Sequence, residues 1–289
     1  GIKPKKHIKL AKEDLWLAPY ETFLKSRLHY LKSLKKSLSG HYGSLLNFAS
    51  GHEYFGLNYD AQKEGWWYRE WAPAAEALHI IGDFNNWDRE SHALVKKEGG
   101  VWEIFIESPK FKHESLFKVV VTTSIGRIDR IPAYITRVVQ NDETKEFAAQ
   151  VWKPNTDFDW SEDDFDTKSI GEPLIYECHV GMAQEEPRLG TYREFADKIL
   201  PRIKLNGYNA IQMMAVQEHP YYGSFGYHVS SFFAPSSRFG TPEDLKYLIK
   251  KAHSMGIAVI LDIVHSHAVK NILEGLNLFD GTDYQYFHG

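Results

Sequence analysis

TPEDLKYLIKKAHSMGIAVILDIVHSH, residues 241–267, holds a helix and a strand in immediate succession. Thr241 is an N-cap residue, and Pro242 follows at the first helical position, where its missing N–H costs nothing. Gly256 supplies the left-handed residue that closes such a helix. IAVILDIV (257–264) then reads as a strand of nearly unbroken apolar residues. Upstream the same alternation recurs. PLIYECHV (173–180) reads as a strand, TYREFADKILPRIKLNG (191–207) as a helix ending at Gly207, and YNAIQMMAV (208–216) as a second strand. Near-continuous apolar strands separated by amphipathic helices are the mark of parallel βαβ units, buried on both faces.

The connection at 217–240, QEHPYYGSFGYHVSSFFAPSSRFG, is far longer than an ordinary βα loop of about 2–6 residues. It follows a strand, on the side where α/β folds place their sites. Its Tyr, Phe and Gly residues suit a wall shaped for a ring-like ligand. Before this α/β part, KPNTDFDWSEDDFDTKSIGEP (153–173) is acidic and flanked by prolines, as a strap or linker is. From about 50 to 152 the texture is short aromatic and β-branched runs, among them GWWYREWAP (65–73), ALHIIGDF (77–84), VWEIFIES (101–108) and LFKVVVTTSIG (116–126). Turn signals at NNWD (85–88), EGG (98–100) and SIGR (124–127) separate them, which predicts an immunoglobulin-like β-sandwich. Residues 14–39 carry Phe23, Leu24, Leu28, Leu31, Leu34 and Leu38 at helical spacing, with Gly40 and Gly43 as stops. Its lysines read as a solvated face. The expected organisation is an N-terminal helical segment (1–49), a sandwich (50–155), and a strap followed by three parallel βα units (156–289), which the family resemblance given below implies are the first three of a TIM (β/α)8 barrel.

Apolar residues make up 43% of the 289 and charged residues 25%, with a formal net charge of −4. The chain therefore has core material but no positive field for nucleic acid. Aromatics reach 14%, with 8 Trp and 16 Tyr. Flat rings stack on the apolar faces of sugars, although most such rings in proteins fill cores. Cys178 is the sole cysteine, so no intrachain disulfide forms and a reducing, cytoplasmic setting is expected. No apolar run approaches the roughly 20 residues that span a bilayer. The opening at Gly1 without a Met reads as a processed or engineered end.

LDIVHSH (261–267) concentrates the chemistry. An apolar strand delivers Asp262 near its carboxyl end, then His265 and His267 at the mouth. An ionisable side chain there is expensive unless paired or used. Three readings stand. The residues form a sugar site with Asp262 accepting and His267 donating, or a metal site built on His265 and His267, or packing alone. A metal needs three or four ligands, and no later strand supplies them.

Several segments resemble the eukaryotic-type branching enzymes of glycoside hydrolase family 13: YECHVGM (176–182), the run 200–259, DIVHSHAVKN (262–271) and GLNLFDGTDYQYFHG (275–289). WAP (71–73), FKVVVTTSIG and GDFNNW (82–87) extend the likeness, the last being similar to carbohydrate-binding module family 48. The likeness covers nearly everything from about Asp14. It implies that Tyr227 stacks on the sugar at the cleavage subsite, that Asp262 braces the catalytic network, and that His267 bonds the bound glucose. Tyr227 read without it is equally a packed loop aromatic. His219 and His228 line the same cleft or sit in the core. In the sandwich, Trp87 and Lys118 resemble glycan-contacting positions. Related modules carry a second stacking Trp after the lysine strand, where this chain has GRIDRIPAY (126–134), so binding there is expected to be weak, or the sandwich only buttresses the barrel.

Family members cleave an α-1,4 bond with retention, through an aspartate nucleophile and a glutamate acid/base, and pass the glucan to a 6-hydroxyl. Those two residues belong to barrel strands four and five. A whole barrel takes about 250 residues, so the expectation is a part of a longer polypeptide with no catalytic residues of its own and no branching activity alone. No cofactor or metal is expected. The expected partner is an α-glucan, glycogen or a starch-like polymer, and neither nucleic acid nor membrane; the oligomeric state is open. Rival readings are a non-catalytic glycogen-binding scaffold, an amylase or debranching relative, and a metal-dependent hydrolase on His265 and His267.

Overall fold

A computed structural model of the chain describes residues 8–288. They form two compact units that divide between Tyr54 and Phe55. The first holds α1 (Lys9–Glu13), a 3-10 turn at Ala18–Tyr20, α2 (Glu21–Tyr42) and α3 (Leu45–Phe48). The helix expected from residue 14 starts at Glu21 instead. Pro19 has no N–H to give to a preceding turn, so regular helix begins only beyond it. At the other end α2 runs through Gly40 and stops at Gly43, whose φ of +84° breaks the helix. None of the side chains of α2 is buried.

The second unit opens with a β-sandwich. One sheet has the order β1 (Gly56–Asp60), β2 (Gly65–Trp71), β5 (Val101–Glu107), β4 (Val95–Lys96), every pair antiparallel. In the other, β6 (Leu116–Thr123) lies between β3 (Ala77–Gly82) on one side and, on its other side, β7 (Gly126–Arg130) and β9 (Phe147–Gln150) end to end. β8 (Val138–Gln140) completes it beside β9. Alternate residues face inward, as strand geometry requires. Trp66 and Tyr68 of β2 meet Phe117, Val119 and Val121 of β6, with Ile80, Trp102 and Phe111 between them.

The α/β part holds three parallel strands in the order β10 (Ile175–Cys178), β11 (Ala210–Met213), β14 (Ala258–Leu261), in register at Ile175, Ala210 and Ala258. Each is four residues long, shorter than the apolar runs that contain them. Between β10 and β11 the helix expected over 191–207 is present with a widened centre: α4 (Tyr192–Glu194), a π turn at Phe195–Ile199, and α5 (Leu200–Leu205). Pro201 cannot donate to Asp197, and its ring crowds that carbonyl, so the turn opens and Leu200 N donates to Phe195 O. α6 (Pro242–Ser254) begins as the sequence indicates, with Thr241 and Asp244 forming a reciprocal capping box, and Gly256 at φ +72° follows its end. Tyr192, Phe195, Leu200, Ile211, Met213, Leu248 and Ile257 form the core beneath the sheet. Ile175 and Tyr176 on one outer strand and Ile260 and Leu261 on the other are exposed.

The strap lies across α6. Phe165 stacks on His253 at 4.4 Å, and Asp163 Oδ2 sits 2.8 Å from His253 Nδ1. The long connection after β11 is not wholly a loop: β12 (Gln217–Glu218) and β13 (Ser231–Pro235) pair antiparallel within it. Sandwich and α/β part share a seam. Residues 275–286 return from beyond β14 to the sandwich, and Phe279, 1% exposed, belongs to the sandwich core.

Candidate functional site

The parallel strands deliver polar side chains to one edge. His179 follows β10 directly, Asp262 follows β14, and Asp262 N donates to Met213 O of the middle strand at 3.2 Å. Tyr227 reaches this edge from the β12–β13 connection, and its hydroxyl donates to Asp262 Oδ2 at 2.8 Å. Burial first, and then the hydrogen bond to the Asp262 carboxylate, push the Tyr227 hydroxyl up to about 12, so it stays protonated and donating at neutral pH. Behind the ring, Ala215, Val229 and Val264 form a small buried cluster against which Tyr227 and Phe232 pack. Tyr227 as a whole is half-buried.

Gln217 is the clamp of this region. Its Oε1 accepts from Val264 N at 3.0 Å and its Nε2 donates to Phe232 O at 2.9 Å, tying the segment after β14 to β13. Farther along, Val269 N donates to Val229 O at 3.0 Å and Ala268 bridges Val229 in parallel register. His267 therefore sits one residue before a pinned position, in register with His228, the neighbour of Tyr227. It is exposed, and its Nδ1 is 2.7 Å from Ser266 Oγ. The structure thus joins Tyr227 to Asp262 directly, and holds His267 on the adjoining segment without a bond to either. His265 is exposed and stacks on Phe232 at 6.3 Å. Among the described residues no three His, Cys, Asp or Glu side chains are grouped to hold a metal ion.

The two other histidines separate. His228 is exposed, whereas His219 is wholly buried, its Nδ1 2.9 Å from Gln217 O, and burial pulls it down to about 4. His219 is a core histidine. Two residues that sequence reasoning passed over belong to the same region. His179 is ringed edge-on by Tyr222, Phe225 and Phe239 at 5.6, 5.8 and 5.6 Å. Glu218, 1% exposed, accepts from Ser237 N and His219 N, and burial raises it to about 7. The signal for both was present: a polar residue at or just past the end of an apolar strand, as at Asp262.

On the sandwich, Trp87 stands in the left-handed region with φ +60°, its indole donating to Asp83 Oδ1 at 3.1 Å and its surface 36% exposed. A bulky residue at positive φ is costly. Lys118 pairs across to Ile81, next to Gly82, whose carbonyl accepts from Trp87 N. Its ammonium points to Glu146 at 3.8 Å and lines a hollow of about 320 Å³ with Arg127, Asp129, Leu273 and Glu274. Trp87 does not line that hollow.

Two family models match the chain: carbohydrate-binding module 48 (isoamylase N-terminal domain) over residues 54–135, and the alpha amylase catalytic domain over residues 166–274. The 1,4-alpha-glucan-branching enzyme of Aspergillus oryzae is 47% identical over 96% of this chain, and that of Dictyostelium discoideum 47% identical over 97%. The chain spans 41% and 42% of the lengths of these curated relatives. Among solved structures, a Group B Streptococcus pullulanase, SAP, in complex with maltotetraose superposes with a TM-score of 0.56 at 21% identity, covering 72% of this chain and 33% of the other, a likeness of fold. Over nearly its whole length the chain is homologous to the N-terminal part of 1,4-alpha-glucan-branching enzymes, with a carbohydrate-binding module 48 followed by the opening portion of an amylase-type catalytic domain.

Proposed function

We propose that the whole protein is a 1,4-alpha-glucan-branching enzyme of glycogen or starch-like synthesis, and that this chain binds the donor glucan. Tyr227, Asp262 and His267 form part of the subsite around the glucose at the scissile bond. The observation that carries the reading is the 2.8 Å bond from Tyr227 Oη to Asp262 Oδ2 at the carboxyl edge of the parallel strands. It holds one aromatic face upright beside a fixed acceptor, the pairing that a sugar ring with an apolar face and a hydroxyl rim requires. Covalent chemistry by an aspartate nucleophile and a glutamate acid/base falls to residues outside this chain. The acceptor is a glucan 6-hydroxyl in place of water.

Maltoheptaose titration tests the subsite. Tyr227→Ala and Asp262→Asn should each weaken binding at least about tenfold, the scale of one lost ring contact or charged hydrogen bond. Unchanged affinity in both variants would sink the reading. Chain 1–289 by itself should leave the iodine stain of amylose unaltered. Trp87, with its exposed indole, is proposed as a single, weak platform for glycogen beside Lys118, and Trp87→Ala should abolish retention on glycogen beads. Cys178 is buried and alone among the cysteines, and burial raises its thiol to about 12. An unreactive lone thiol suits a cytoplasmic protein.

A further inference from the structure

We infer that Arg130 is a positioning residue for the sugar site: from within the sandwich it bolts down the far end of the segment that carries His267. The inference rests on the sugar-site reading of Tyr227, Asp262 and His267. Arg130 lies at the end of β7 and is 0% exposed. Its Nη1 donates to Leu278 O at 2.8 Å, and its Nη2 to Gly275 O at 2.9 Å and Asn277 O at 2.7 Å. The guanidinium also lies 4.9 Å from the centre of the Phe279 ring. A buried cation is retained at a cost unless its donors are filled. Here the backbone carbonyls of Gly275, Asn277 and Leu278 take the Nη donors, while Nε, also buried, has no partner among the described residues.

Other contacts make the same junction. Asp280 Oδ2 accepts from Ala74 N at 3.1 Å, and Gln285 Nε2 donates to Trp71 O at 2.6 Å. Phe279 enters the sandwich core, with Leu276 and Tyr286 against it. Segment 275–286 is therefore a piece of the sandwich, although in sequence it follows the acid and imidazole of the catalytic side.

The consequence falls on the residues between. From Asp262 the chain is held at Val264 by Gln217, at Ala268 and Val269 by Val229, and at Gly275 by Arg130. Inside the last interval, Asn277 Nδ2 donates to Lys270 O and Gly275 N to Asn271 O, both at 3.1 Å. His267 lies between two stations made by the α/β part, at Val264 and at Ala268–Val269, and the sandwich holds the same segment farther on, at Gly275. The sandwich thereby acts on the site through a rigid strut, whether or not it holds glucan itself.

The test compares wild type with Arg130→Lys and Arg130→Met in the full chain. Lysine keeps the charge opposite buried Glu70 but cannot offer the forked donors. Amide exchange over 265–283 should quicken about tenfold or more in Arg130→Lys, while amides of β3 and β6 change by less than about threefold. The ring signals of His267 should broaden or shift, and maltoheptaose affinity should fall about fivefold. Unchanged exchange over 265–274, or equal loosening of the whole sandwich, overturns the inference; if Arg130→Met does not fold, Arg130→Lys decides alone. If the segment loosens in Arg130→Lys while Tyr227→Ala leaves maltoheptaose binding intact, the strut stands and the sugar-site reading falls.

Discussion

Gly226 shows how little room the site leaves a single residue. Its φ is +88°, and a Cβ built there would run into the carbonyl oxygen of Ala215. Two constraints coincide: a left-handed backbone, which side chains resist, and a contact with backbone, which cannot rotate away. That close approach sets Tyr227, the next residue, within reach of Asp262. Gly226→Ala should therefore cost about 2–4 kcal/mol in urea unfolding, the scale of backbone strain plus displaced packing. Tyr227→Phe, which removes only the hydroxyl, should cost about 1–2 kcal/mol. If Gly226→Ala proves no worse than Tyr227→Phe, the loop has a second conformation and the glycine is not what positions the ring. Asp262 was legible without a structure because a carboxylate at the end of an apolar strand stands out. His267 was legible as a candidate, but its distance from the Tyr227–Asp262 pair was not, since it depends on pairing with Val229 in a distant segment.

Elements differ in the same way. α6 was readable from its ends because every signal is local: Thr241 caps Asp244 N at 3.2 Å, Pro242 sits in the first turn, and Gly256 stops it. Thr241→Ala should lower stability by about 1 kcal/mol, and Thr241→Ser should leave it nearly unchanged, both read as shifts of the urea midpoint. A loss as large with serine would mean that the threonine methyl, not the hydroxyl, matters. The π turn before Pro201 was foreseeable in principle from the proline alone. β12 and β13 were not, because two strands of two and five residues are stabilised by pairing Gln217 with Pro235 and Glu218 with Ser231, and by the Gln217 side chain, rather than by any periodicity of their own. Nor does GLNLFDGTDYQYFHG show a period that would send it to the sandwich. The docking is written in Arg130, which in sequence is one more charged residue of a surface-like run, GRIDR.

At the scale of the second unit, the seam is closed by buried charge, and that makes its stability answer to pH. Two arginines leave the sandwich for the other side: Arg130 grips 275–278, and Arg137 Nη1 donates to Gly240 O at 3.0 Å while lying 4.9 Å from the Trp152 ring. Each has a buried carboxylate in its field. Glu70 accepts from Tyr68 Oη and Ala133 N near Arg130, Glu218 accepts from Ser237 N near Arg137 and Arg238, and burial raises both to about 7. A carboxyl whose folded value exceeds its unfolded value of 4.5 binds more protons in the native state between those limits, so its contribution to stability is lost as pH rises from about 4.5 to about 7. His219, lowered by burial from 6.5 to about 4, has the opposite sign: native protein binds fewer protons there, and stability is lost as pH falls through that window. With two carboxyls against one imidazole, the net slope at this seam is downward with rising pH, and between about 6.5 and 7 the carboxyls act alone. Glu218→Gln cannot ionise, so relative to wild type it should gain stability steadily from pH 5 to pH 7.5, by about 2–3 kcal/mol in all. Glu70→Gln should behave alike, and the double variant should gain more than either, because the two sites lie on separate arginines. Urea unfolding at several pH values measures this directly. A Glu218→Gln curve parallel to wild type across the window would mean that the carboxylate is already ionised in the folded protein, held so by Arg137 and Arg238, and that the seam is an ion-paired joint rather than a proton-dependent one.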